Sequence, residues 1–382
     1  MIRPGYILLA AALLAAAPAT LAAQDSAAAP SAPGHWSLDI PVRGYGISFG
    51  NSARFTGLRF NVEDDGLEAI NGLNVTFWRP GRHVTGRING LAVGLAGPAA
   101  GELNGVSVGL VGVIAERRAR WVTVGGLGVV SQGSLEGLNI GGLGAVSEGA
   151  MRGITLAGLG AVAQGGMSGI GVAGLGVVSE GPMAGVALAG LGTVAQGSMT
   201  GLFFSGLGTV SQGGIRGVSF SGLAAVSQGD LWGAHAATLA VVSQGDVTGL
   251  TLAGLATVAQ GSVRGLTVSG LALVSQGRVS GITVGGLAVV AEGGVRGLTA
   301  AVYQVRSPSV GGITIAGIRL RTGAMSGLSV SAFNQVRGLQ AGISIGLLNY
   351  ARILRGVQIG VINIARNNPP PFRVLPVLNV HL

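Results

Sequence analysis

Residues 254–285 read GLATVAQGSVRGLTVS and GLALVSQGRVSGITVG, two 16-residue units laid end to end. Eleven such units run without a gap over residues 126–301. Position 2 is leucine in every unit, from Leu127 to Leu287, and position 5 is valine, from Val130 to Val290. Positions 8 and 12 are always glycine, position 7 is Gln or Glu, and position 6 is Ser or Ala. Positions 10, 13 and 15 are mostly aliphatic, whereas 4, 9, 11 and 14 vary.

Interior glycines at this frequency are incompatible with helix, where each costs about 1 kcal/mol against alanine. Val, Ile, Leu and Thr dominate, and positions 13 and 15 alternate with variable residues, which is the pattern of strands. Glycines 8 and 12 are expected to bracket a turn, where positive φ or close backbone approach is needed. One unit cannot bury its own Leu and Val, but stacked units can, at about 4.8 Å per rung. The fold expected is therefore all-β: a single-chain parallel β-solenoid of ~16-residue coils. Its Leu, Val and Ile columns would fill the interior, and a Gln/Glu ladder from Gln132 to Glu292 would stand near a turn.

Looser units flank the regular ones, including INGLNVTFW from Ile70 and INGLAVGLAG from Ile88 upstream, and GGITIAGIRL from Gly311 downstream, where the spacing drifts to 14 or 15 residues. The expected organisation is a signal peptide at 1–23, a flexible leader at 24–35, an N-terminal β cap at 36–69, solenoid repeats at 70–366 and a C-terminal cap at 367–382. The signal peptide rests on Arg3, the apolar run from Ile7 to Ala17 and the small residues around Ala22 and Ala23.

Composition narrows the functional classes. Glycine at 72 residues, without a three-residue period, excludes collagen. The absence of cysteine excludes disulfides and thiolate metal sites. All 23 basic residues are arginine, and the net charge is +9. They are scattered along the sequence, apart from Arg117, Arg118 and Arg120, and few aromatics accompany them. The expectation is solvated charge rather than a nucleic-acid partner.

The run GISIGLLNYA from Gly342, followed by GVQIGVINIARNNPPPFRVLPVLNVHL from Gly356, resembles a family of bacterial surface repeat-containing proteins. Their recurring phrase is close to GLQIGLINIA, with a short proline-containing terminal segment. The resemblance is close at residues 356–365 and looser over the central units, which carry VSQG or VAQG instead. It implies export to the cell envelope and no particular activity. With no cysteine, it does not extend to lipid anchoring.

The alternative architecture is an outer-membrane β-barrel, in which position 12 through position 7 of the next unit forms one strand of about ten residues. Against it stand the apolar character of both faces, the lack of aromatic girdles and the uniform turns.

Candidate chemistry is sparse. Glu148 and Glu180 lie two units apart with Gln164 between them, roughly 10 Å over two rungs, a separation open to an inverting glycosidase pair. The bland reading is Glu replacing Gln in an exposed ladder. Glu63, Asp64, Asp65 and Glu68 read as a solvated turn rather than a cation loop. His35, His83, His235 and His381 have no partners at metal-ligand spacing, and His235 is expected to project outward. Position 14 carries Thr251, Thr267, Thr283 and Thr299 in successive units. If outward, this file would be a surface for a repetitive ligand such as ice or a glycan, set against ordinary β-branched preference.

The leading expectation is an exported structural or interaction repeat protein that presents a rigid repetitive surface at the cell surface, outer membrane or periplasm. It is expected not to be an enzyme and to need no cofactor or metal. Partners would be envelope components or glycans, with membrane association and no nucleic acid. The competing functions are the barrel and, third, a carbohydrate-active β-helix enzyme.

Overall fold

The structure is a computed structural model that describes residues 36–42, 45–80 and 84–381. The expected signal peptide and leader, with His35 and His83, lie outside the described residues. The described elements are all strands, and the chain is a β-solenoid of about 16 turns. By compactness it divides into two units, Met1–Gly133 with Leu138–Ala145, and Ser134–Gly137 with Val146–Leu382.

In the second unit each regular rung has a four-residue strand at positions 3–6 and a seven-residue strand at positions 10–16, with a bend after each. Gly160–Ala163 and Met167–Ala173 are one such pair. Through the regular units strands pair in parallel with those one rung away and not with the next in sequence: Met167 lies against Met183, Gly169 against Gly185, Ala173 against Ala189. Short strands do the same, Gly176 against Gly192 and Val178 against Val194. This overturns the barrel alternative, whose neighbouring strands would run antiparallel. Beyond the regular units the rung shortens, so that Val295 pairs with Val310 and Gly297 with Gly312. Val374–His381 then turns back antiparallel, with Val357 against Val380.

The first unit begins with Ser37–Val42 antiparallel to Tyr45–Gly50. Parallel pairing follows through Arg54–Asp64, Ala69–Pro80, Arg87–Gly94, Ala99–Gly109 and Gly112–Gly125.

The facing of the side chains is the reverse of the expectation. In the second unit the leucine column from Leu159 to Leu287 is exposed at each rung, and the valine column is exposed or half-buried. Positions 13 and 15 also point outward, for example Ile170, Leu202, Leu252 and Ile282. The interior is built from positions 4, 6, 10, 14 and 16: Met167, Met183, Met199, Ile215, Phe203, Val241 and Leu273 are all buried, among many small residues.

The reason is space. Positions 6 and 16 carry only Gly, Ala or Ser through the regular units, so the stack of short strands and the stack of long strands close on each other. Hydroxyls tie that closure. Ser205 Oγ donates to Thr193 Oγ1 at 2.9 Å, Ser221 Oγ to Thr209 Oγ1 at 3.0 Å and Ser269 Oγ to Thr257 Oγ1 at 2.8 Å, each joining position 16 to position 4 across the interior. Serines at position 6 hold the bends: Ser211 Oγ donates to the Gly214 carbonyl at 2.9 Å, and Ser275 Oγ to that of Gly261 at 2.8 Å. A paired buried hydroxyl adds roughly 0.5–1.5 kcal/mol, whereas an unpaired one would be a net cost.

Glycine 12 is not at a turn. It lies within the long strand with positive φ, 120° at Gly217, and a Cβ there would sit 2.1 Å from the Gly201 carbonyl oxygen. The glycine column lets each rung approach the one before it.

Candidate functional site

The threonine file faces inward. Thr251, Thr267, Thr283 and Thr299 are each 1% exposed, and their strands stack them in register, Thr251 on Thr267 and Thr267 on Thr283. The expected surface array for a repetitive ligand is thus replaced by an internal column, because parity places position 14 with the buried positions 10 and 16.

His235 shares that column and is also buried, which corrects its expected outward projection. Its Nδ1 lies 2.8 Å from Ser219 Oγ. Burial lowers its pKa to about 4, outweighing a weaker opposing hydrogen bond at the Trp232 backbone. The imidazole is therefore neutral at pH 7 and serves as a packing group with a polar edge.

Glu148, Gln164 and Glu180 stand exposed on successive rungs, the backbone stepping from Gln164 N to Ser147 O and from Glu180 N to Ala163 O. This is the exposed ladder at a bend that the sequence suggests. Among the described residues, no group of three or more His, Cys, Asp or Glu is placed to hold a metal ion.

In the first unit the acidic run is not a fully solvated turn. Asp64 is buried and accepts from Arg59 Nη1 at 2.9 Å, Asn61 Nδ2 at 2.7 Å, Asn74 Nδ2 at 3.1 Å and Thr76 Oγ1 at 2.7 Å. Arg59 is buried with it. Burial pulls the Arg59 pKa down, and the charge and hydrogen bond of Asp64 push it back up. Such a network fixes strand register and leaves no accessible reactive group. The sequence cluster Arg117 and Arg118 also lies in this unit, both within 3.6 Å of Glu102.

Two surface features of the second unit are the candidates for function. The first is the set of outward aliphatic columns. Leu175 N bonds to Leu159 O, Leu191 N to Leu175 O and Leu207 N to Leu191 O, so the leucines stack rung on rung. A groove of about 710 Å³ runs over several rungs beside Leu188, Phe204, Phe220 and Leu252. The rings of Phe204 and Phe220 stack with centroids 5.3 Å apart. The backbone beneath is already paired, as in Gly190 N to Ala173 O and Gly206 N to Ala189 O, so the groove offers mainly apolar contact.

The second feature was hidden by sequence spacing. Arg319, Arg337, Arg352 and Arg366 line a single recess of about 830 Å³ with Tyr303 and Tyr350. A second recess of about 500 Å³ shares Arg337 and adds Arg306 and Arg321, with Glu292 at its edge. Arg319 Nη2 donates to Gln335 Oε1 at 3.0 Å, and the Arg366 guanidinium lies over the Tyr350 ring at 5.9 Å. Arg306, Arg321, Arg337, Arg352 and Arg366 follow one another at 14 to 16 residues, close to one rung, which was the available signal.

No family model, no curated protein and no solved structure matches the chain.

Proposed function

We propose that this is an exported structural and interaction protein of the cell envelope whose outward aliphatic columns are its working surface. The observation that carries the reading is the facing of the columns: a narrow interior of position-10 Met, Ile, Leu or Val among small and hydroxylated residues, with the invariant Leu column and the aliphatic positions 13 and 15 outside. Contiguous apolar surface of this regularity marks a place for an apolar partner. The signal-like amino terminus and the resemblance at residues 356–365 support the envelope as its location. In this reading the chain acts by presenting a surface and performs no catalysis.

Fractionation of cells carrying the tagged chain tests it. The mature protein is expected with the envelope, retained through a high-salt wash and released by detergent. A monodisperse mature chain in the soluble fraction, without detergent, would overturn the reading.

A further inference from the structure

We propose that the arginine recess of the second unit receives the phosphate groups of anionic lipids; this rests on the reading above and names its partner. Residues 293–382 contain nine arginines and no Asp or Glu. Six of the nine line the two contiguous recesses, with Glu292 alone opposing them. Guanidinium groups of this density pair with phosphate oxygens through paired N–H donors. The contacts of Arg319 with Gln335 and of Arg366 with Tyr350 position two of them without neutralising either.

The aliphatic columns lead into this recess. Leu287 O accepts from Tyr303 N, and Tyr303 O accepts from Ile318 N, so the leucine column continues through Tyr303 and Ile318, both lining residues. The valine column likewise changes to arginine where Val290 pairs with Arg306. Aliphatic rungs giving way to Tyr, Phe and Arg is the order met on passing from hydrocarbon to headgroup. A nucleic acid bound at the arginines would leave the aliphatic columns wet, so lipid is the better fit.

The test is vesicle co-sedimentation of the detergent-purified mature chain. Phosphatidylcholine vesicles are compared with vesicles that also contain phosphatidylglycerol, at two salt concentrations. One variant carries Arg319→Gln, Arg337→Gln, Arg352→Gln and Arg366→Gln. A control of equal charge change carries Arg216→Gln, Arg264→Gln, Arg278→Gln and Arg296→Gln, all exposed in the parent. Each arginine near an anionic surface contributes about fivefold, so the four changes of the recess variant are expected to remove roughly six-hundredfold of the preference for phosphatidylglycerol. The control is expected to keep most of it, and binding to phosphatidylcholine alone is expected to be unchanged in both. The proposal is overturned by equal losses in the two variants, by a parent indifferent to phosphatidylglycerol, by displacement with inorganic phosphate at concentrations that leave ionic strength unchanged, or by single-stranded DNA outcompeting the vesicles. In those cases binding to neutral vesicles still stands for the broader reading. Absence of binding to every vesicle overturns both.

Discussion

Leu271 and Leu273 sit two residues apart in one rung and face opposite ways, Leu271 44% exposed and Leu273 fully buried. Truncating each to alanine measures which column is the core. At Leu273, between Thr257 and Val289 in register, the change removes buried carbons and leaves a void, which costs 2–5 kcal/mol, taken as about 3 kcal/mol here. At Leu271 the same three carbons would be worth about 2.4 kcal/mol if wholly buried, at roughly 0.8 kcal/mol each. Nearly half of that surface is already exposed and no cavity forms, so about 1 kcal/mol is expected. The assay is hydrogen exchange read by mass spectrometry over residues 256–301, with both variants in the same detergent. Local opening is the right measure because a long repeat array does not unfold in one step. A Leu271→Ala cost equal to or above that of Leu273→Ala would refute the facing of the columns.

Gly217→Ala is expected to cost more than about 2 kcal/mol, from positive φ and the clash with the Gly201 carbonyl. Gly208→Ala, where the new Cβ would lie 3.3 Å from the Ala224 oxygen and where the column itself carries Ala224 and Ala240, should change stability by less than about 1 kcal/mol; hydrogen exchange of the two variants over residues 199–237 decides it. Asp64→Ala should destabilise the first unit by roughly 3–5 kcal/mol by stranding buried Arg59, seen as loss of exchange protection over residues 54–76. His235 carries a folded pKa of about 4 against an ordinary 6.5, so the unfolded chain takes up the proton first as pH falls. Stability from neutral His235 is complete above pH 6.5 and is lost down to pH 4, by roughly 3 kcal/mol in all. Exchange protection over residues 215–253, corrected for the intrinsic pH dependence of exchange, should show that slope in the parent relative to His235→Gln, and parallel pH profiles would contradict it.

The rung length, the strand class and the parallel stacking were legible in the 16-residue period, because identical columns pair only at that offset. The facing was not. A period-2 strand admits two assignments that differ by exchanging the faces. Weighting invariance and hydrophobicity put Val274 inside, and with it Leu271, which lies in the bend before the strand Ala272–Ser275 and so escapes the alternation that buries Leu273. The size limit at Ser275 and Ser269, too small for any but a closed interior, pointed the other way and was the better guide. The threonine file and His235 were misplaced by the same exchange, since position 14 shares parity with positions 10 and 16. The buried Arg59–Asp64 pair was illegible because its partners Asn74 and Thr76 come from a neighbouring rung. The arginine recess was obscured by reading clusters along the sequence, when Arg337, Arg352 and Arg366 meet only through the rung period.

Because every regular rung of the second unit offers the same contour above and below, removing one unit brings together surfaces that already fit. With residues 190–205 excised, Met183 would meet Ile215 much as it now meets Met199. The number of rungs is then a quantity that the fold itself leaves open, in steps of sixteen residues. The chain grows or contracts in whole steps while its two ends stay the same.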